Sequence, residues 1–301
     1  MNYEMKLHPS SFTRSVHPLL SHLWLHEPDA EAVARAAAEL DLPFADPTEL
    51  ASAYTDVFLL NVYPYGTAFT DPSGELNGPA AQEMAALYEA HGYQPPELNV
   101  VGAPDHVGLC LGFLGKLGEL DAKRRELSLD WIAVCCLAVE RESAAPPFYR
   151  ALANITREAL FAHHAPPSAP IANSPILQFL NPQEELSLRD LVRFFLAPAQ
   201  CGVFLSRSQL GQMAKALGLR LPFGSRFEVA EMLFASAGEA EQIEQLIGTL
   251  EAEVQVWATE YRAWAEKYPE WRPLADAWLA RTAEADHLLA GMRQMATTAI
   301  T

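Results

Sequence analysis

The sequence is poor in cysteine and in cations, and it has no long uncharged apolar run. Four cysteines occur in 301 residues: Cys110, Cys135, Cys136 and Cys201. None forms a C-x-x-C pair, which argues against a zinc ribbon or a thioredoxin-type site. Cys135 and Cys136 fall inside the apolar run Trp131 to Val139, so buried free thiols in a reducing cytoplasm are expected. Lys and Arg number 21 against 38 Asp and Glu, for a net charge of −17. That balance excludes a general nucleic-acid binder and disfavours an anionic membrane surface. It suits a basic peptide or protein partner, which such a charge would steer inward. No stretch approaches 18 apolar residues without a charge, so no membrane insertion is expected. The first 18 residues lack the charged, apolar, small-residue order of a secretory signal, and a cytoplasmic location is expected.

Period-2 segments bounded by hairpin turns are also missing, as are a Walker-type glycine loop, a G-x-S-x-G elbow and an H-E-x-x-H pair. Helical signals are what the sequence does contain. Asp46-Pro47-Thr48-Glu49 offers an N-cap, a proline at the first helical position and an acid three residues after the cap. Ser225-Arg226-Phe227-Glu228 repeats that logic, with Gly238 placed for a C-terminal cap. Helices are expected at Ala32–Leu40, after Asp46, and at Pro79–His91, Asp105–Leu120, Ser128–Glu142 and Pro147–His163. Further helices are expected at Ser187–Leu196, Ser206–Leu217, after Ser225, at Glu239–Tyr268 and from about Pro273 to Met295. The fold class is all-α, a multi-helix bundle of ten or eleven helices.

Two stretches interrupt the pattern. Asn61 to Pro79 is rich in Pro and Gly and carries Tyr63, Tyr65 and Phe69. It reads either as a functional loop or as an ordered connector whose rings pack on the bundle. Ala162 to Pro175 holds four prolines and reads as a linker or domain edge. The organisation is therefore a helical domain over 1–165, a Pro-rich linker over 166–184 and a helical extension over 185–301. In the extension, Trp257, Trp264, Trp271 and Trp278 are spaced by seven. Pro269 and Pro273 exclude one continuous helix, and the four indoles read as packing seams.

The most distinctive stretch runs from Pro95 to Leu114. Pro104 can occupy a first helical turn, Asp105 complements a helix N-terminus, and His106 projects nearby. One reading is a capped helix start; the other is a recognition site with a carboxylate and a switchable imidazole. His106 and Cys110 share a helix face at i and i+4, which leaves a nucleophile–base reading open. His163-His164 lacks carboxylate or thiolate partners at metal-ligand spacing, and no metal site is expected.

Pro104-Asp105-His106, followed by Leu109, Leu111, Phe113 and Leu114, resembles the P-D-H-x-x-x-E-L-x-F-M signature of the TorD/DmsD/NarJ redox-enzyme maturation chaperones. Tyr54-Thr55-Asp56-Val57-Phe58 resembles that family's Y-x-x-L-F helix, and a Pro/Gly loop bridges the two motifs. The resemblance covers roughly residues 15–165, and residues 185–301 look like the extension of longer TorD-like members. Ala103, Cys110 and Gly112 stand where the family often has acids, whereas Asp105 and His106 match. Gly108, Gly112 and Gly115 add flexibility or allow close helix approach.

The resemblance implies a cytoplasmic, non-catalytic chaperone with no stably bound cofactor. Its partner would be a molybdopterin-family oxidoreductase catalytic subunit, or that subunit's twin-arginine signal peptide. The client would receive its molybdopterin-type cofactor before export. Asp105 and His106, beside Pro104, would face the peptide. Tyr63, Tyr65 and Phe69 would form the rim, and Tyr54, Phe58, Leu109 and Phe113 would support the site from the core. The resemblance also admits a homodimer. Two other readings stand beside it. One is a helical small-molecule-binding protein or enzyme centred on Asp105, His106 and Cys110, which requires a deep pocket converging on them. The other is an adaptor using the Trp-rich helices, which requires an exposed apolar patch on residues 246–295.

Overall fold

A computed structural model describes residues 12–72, 77–117, 129–163 and 187–300. Among these residues there are fifteen α-helices and no strands, which bears out the all-α class. In the first part lie α1 (Phe12–Leu25), α2 (Ala30–Leu40), α3 (Pro47–Tyr54), α4 (Gly66–Thr70), α5 (Pro79–Ala90), α6 (Leu98–Val101), α7 (Val107–Leu117), α8 (Trp131–Arg141) and α9 (Pro147–His163). The later part holds α10 (Leu188–Leu196), α11 (Pro198–Cys201), α12 (Arg207–Ala216), α13 (Arg226–Glu239), α14 (Ile243–Lys267) and α15 (Arg272–Ile300). Eleven of these answer to the helices expected from periodicity. α1, α4, α6 and α11 are additional.

Local sequence sets the ends. The Asp46 carboxylate accepts from the Thr48 N–H at 2.8 Å and caps α3. Ser187, Ser206 and Ser225 form reciprocal capping boxes with Asp190, Gln209 and Glu228. Each box satisfies donors that a helix start would otherwise leave unpaired. Gly238 does not end its helix. α13 runs on through Glu239, and Glu241 takes the left-handed turn at φ 56°. α7 begins at Val107, so Pro104 lies outside its first turn.

α1 and α7 lie against each other through glycine. A Cβ on Gly108 would fall 2.5 Å from Leu25 Cγ, and one on Gly112 2.9 Å from the Tyr93 hydroxyl. The Ser21 hydroxyl donates to the Gly108 carbonyl at 2.7 Å. Of the two roles open to these glycines, close helix approach is the one realised at Gly108 and Gly112. The latter position therefore has no room for the acid common in the resembling family.

The motif Tyr54 to Phe58 contains the junction of α3 with a π-helical turn at Thr55–Leu59. Phe58 meets Trp24, Tyr54 and Tyr149, each at 5.1 Å between ring centroids. The Tyr54 hydroxyl donates to the Trp24 carbonyl at 3.0 Å. These residues are core, as are Leu109 and Phe113.

Residues on both sides of 166–184 share one hydrophobic core. α14 and α15 form a hairpin around a 3₁₀ turn at Pro269–Trp271, where proline ends α14. Trp257, Trp264, Trp271 and Trp278 are all buried, so they do not form the exposed patch an adaptor requires. Phe161 of α9 packs among Trp264, Tyr268 and Trp271, and its carbonyl accepts from the Trp271 indole at 3.1 Å. All four cysteines are free and buried. The expected linker over 166–184 and His164 lie outside the described residues.

Candidate functional site

The segment Pro104–Val107 runs beside Pro64–Thr67. Val107 N–H donates to the Pro64 carbonyl at 2.8 Å, Gly66 N–H donates to the Asp105 carbonyl at 2.9 Å, and Tyr65 pairs with His106 in one antiparallel bridge. The Asp105 side chain is fully buried. Its Oδ2 accepts from the Thr67 N–H at 2.7 Å and from the Thr67 hydroxyl. Its Oδ1 is buried with no hydrogen-bond partner among the described residues. Asp105 thus serves a helix N-terminus, but that of α4 rather than α7. Tyr65, the residue before α4, offers no side-chain cap, and Asp105 supplies one from 38 residues away.

His106 is buried as well, at 4% exposure. Its Nδ1 accepts from the Gly108 N–H at 3.1 Å, which requires an unprotonated Nδ1. Burial pushes the imidazole down to about 3. Tyr65 stands edge-on to this ring at 5.0 Å and donates its hydroxyl to the Val101 carbonyl at 2.9 Å. Asp105 and His106 are therefore not surface groups facing a ligand; both are internal braces. Phe69 is corrected in the same way. It is fully buried, stacked on Trp131 at 6.2 Å and on Phe204 at 5.1 Å, and forms no rim. Tyr63 is half-buried and lies on the side of Arg226. The connector reading of Asn61–Pro79 prevails for the residues described there, because aromatic area favours burial.

The nucleophile–base reading of His106 and Cys110 fails on the same ground. Cys110 is fully buried, burial pushes its thiol well up, and its sulfur lies 3.8 Å from the Tyr88 hydroxyl. A thiol held protonated beside an imidazole held neutral is not an activated pair.

The accessible feature lies next to the motif. A groove of about 580 Å³ opens between the end of α5 and α6, lined among others by Tyr88, Glu89, Tyr93, Gln94, Glu97 and Leu98. Pro104 is the one residue of Pro104-Asp105-His106 that borders it. The Tyr88 hydroxyl donates to the Pro104 carbonyl at 2.8 Å and fixes the floor. Tyr93 packs on Tyr88 and Phe113 at 5.1 and 5.2 Å. Glu89 and Glu97 are exposed. Glu97 holds a left-handed backbone at φ 64° and pairs with His26 at 3.0 Å. Gly102 closes α6 at φ 86°, a conformation that costs glycine little. Tyr65 ties down the same end of α6 through Val101. The motif thus shapes the groove from behind, and its own acid never enters it.

Sequence comparison bears on this region. Residues 26–141 match the model of the family described as nitrate reductase delta subunit. Over these residues, somewhat more than a third of its length, the chain is similar to this family. The chain is also 40% identical over 73 residues to the chaperone protein TorD of two Vibrio cholerae serotype O1 strains, Classical Ogawa 395 and El Tor Inaba N16961. That alignment takes in 23% of this chain, and the chain spans about a third (32%) of the length of those relatives. No solved structure matches. Within the matched region lie Tyr54 and Phe58, the Asp105 brace and the whole groove, whereas Trp24 and Tyr149, which pack on Phe58, fall just outside it. Residues 187–300 lie outside it.

Sequence reasoning reached the motif but missed the groove. Tyr88, Glu89, Tyr93 and Gln94 carry no pattern of their own. The available signal was their position just ahead of Pro95-Pro96, where α5 ends and two tyrosines flank an acid. Among the described residues no group of three or more His, Cys, Asp or Glu is arranged to hold a metal. No helix among them is long and apolar enough to cross a membrane.

Proposed function

We propose that this chain is a molybdoenzyme maturation chaperone that receives a basic, partly apolar client segment in the α5–α6 groove. The observation that carries the reading is an aromatic floor and an acidic rim built directly on a TorD/NarJ motif. Tyr88, Tyr93 and Leu98 offer apolar area, and Glu89 and Glu97 offer carboxylates to arginine. Charge-assisted pairs of that kind give register, and the net charge of −17 speeds encounter. The segment of that composition on such clients is the twin-arginine signal peptide of a molybdopterin-family oxidoreductase. The chaperone would act in the cytoplasm, perform no catalysis and hold no cofactor of its own, while the client receives its molybdopterin-type cofactor.

The small-molecule or enzyme reading required a deep pocket converging on Asp105, His106 and Cys110. The groove is open and none of the three lines it. Co-purification from the native host tests the proposal. Wild type should retain a molybdopterin-family oxidoreductase precursor, and Glu89→Lys with Glu97→Lys should release it. Retention by the charge-reversed variant would remove the groove from the reading.

A further inference from the structure

The charge of the chain is not evenly spread. Residues 187–228 hold six cations, Arg189, Arg193, Arg207, Lys215, Arg220 and Arg226, against two acids, Asp190 and Glu228. This is a net charge of +4 inside a chain of −17. Both acids are committed, because Asp190 and Glu228 close the capping boxes of Ser187 and Ser225. Arg226 is committed too, donating to the Leu196 carbonyl at 2.7 Å. The other five cations form no ion pair among the described residues; Arg189, Arg193, Lys215 and Arg220 are exposed and Arg207 is half-buried.

An aromatic pair draws part of this set together. Phe223 is 87% exposed, in the loop between α12 and α13, and the Arg207 guanidinium lies over its ring at 4.5 Å. Phe227, one turn further on, carries Arg189 over its ring at 5.8 Å. Arg193 follows Arg189 by one turn of α10, and Arg220 precedes Phe223 by three residues. An arginine stacked on an aromatic face keeps its N–H edge free for a carboxylate, and its fork binds carboxylates two-pronged. A phenylalanine left almost wholly in water beside such forks is the arrangement of an interface anchor rather than of a core.

We infer that the face formed by α10, α12 and the start of α13 docks a carboxylate-rich, partly apolar segment of a partner protein. The inference is independent of the groove and of the client named above. Charge selects the partner class. Phosphate-rich surfaces would meet the same arginines, but an anionic bilayer or nucleic acid must also approach a body of −17, at a cost that grows with the area brought close. A short acidic segment can reach the patch without facing the rest of the surface. One exposed ring also suits a single side-chain anchor better than a membrane wedge.

The test uses the full chain and a labelled peptide of Glu, Asp and Leu, with a Gln/Asn counterpart of equal length. Wild type should bind the acidic peptide, with affinity falling as salt rises from about 0.05 to 0.5 M, and should ignore the counterpart. Arg189→Glu with Arg207→Glu should weaken binding by about tenfold or more, and Phe223→Ala by about three- to fivefold. All these side chains are at or near the surface, and unchanged thermal unfolding verifies that the variants fold. Equal affinity for the counterpart, or unchanged affinity in either variant, overturns the inference. Tighter binding to phosphatidylserine vesicles or to a DNA oligonucleotide than to the peptide overturns the choice of partner.

Discussion

The Asp105 carboxylate reaches back 38 residues to the backbone N–H of Thr67 at 2.7 Å and to its hydroxyl. This contact places the first turn of α4, and with it Phe69, against the extension. From Asp105 the path runs through Thr67 and Phe69 to Phe204, and the Arg226 guanidinium lies 4.6 Å from the Phe204 ring centre. Asp105 is thus the inner end of the packing that joins the groove's brace to residues 187–300.

Removing the brace should be costly. Asp105→Ala deletes a charge-assisted cap and leaves the α4 donors buried, so a loss of about 2 to 4 kcal/mol is expected in urea unfolding. Hydrogen exchange should rise first at Gly66–Thr70. Thr67→Val, which keeps the backbone bond, should cost less.

Phe69 is the second joint. Phe69→Ala empties a fully buried site between Trp131 and Phe204 and should cost about 3 to 5 kcal/mol. Its effect should appear in amide exchange of α11 as well as α4, since Phe69 touches the extension. Confinement of the effect to α4 would disconnect the two.

Glycine substitutions should have opposite signs at two sites. Gly108→Ala pushes a methyl to 2.5 Å from Leu25 Cγ and 3.0 Å from the Ser21 carbonyl oxygen, forcing α1 from α7 at about 1 to 3 kcal/mol. Gly238→Ala meets nothing within 4 Å inside a helix and should stabilise by about 0.5 to 1 kcal/mol. Thermal unfolding of the two variants decides both.

Two buried groups give opposing pH dependences. Burial holds folded His106 at about 3 against an ordinary 6.5. Between these values the unfolded chain binds the extra proton, so His106 removes stability as pH falls. Burial raises Asp130 to about 6 from 3.8, so there the folded chain holds the extra proton and Asp130 loses stability as pH rises through 6. Asp130→Asn should therefore gain on wild type by about 1 to 3 kcal/mol between pH 4 and 7. The His106 ring should show no NMR titration between pH 5 and 8.

What the sequence disclosed and what it hid follow from the range of the interactions involved. Asp46, Ser225 and the heptad-spaced tryptophans are set by neighbours within a turn or two, and the structure places them as caps and core. α4 was hidden because its cap comes from Asp105, far along the chain, and its own residues read as a Pro/Gly loop. α1 was hidden by Pro18 and its histidines, which blur the apolar period. Asp105 read as an exposed acid because nothing local indicates that Thr67 will cover it. Gly238 read as a cap, yet the helix continues because its open environment imposes no stop.

The central claim is that the groove, rather than the Asp105 carboxylate, meets the client. Calorimetric titration with the twin-arginine signal peptide of the molybdoenzyme precursor tests it directly. Glu89→Lys with Glu97→Lys should weaken binding by about tenfold or more. Asp105→Asn, which keeps an acceptor for the Thr67 N–H, should bind within about threefold of wild type once its folding is verified. Undiminished binding by the groove variant, with loss in Asp105→Asn, would contradict the account.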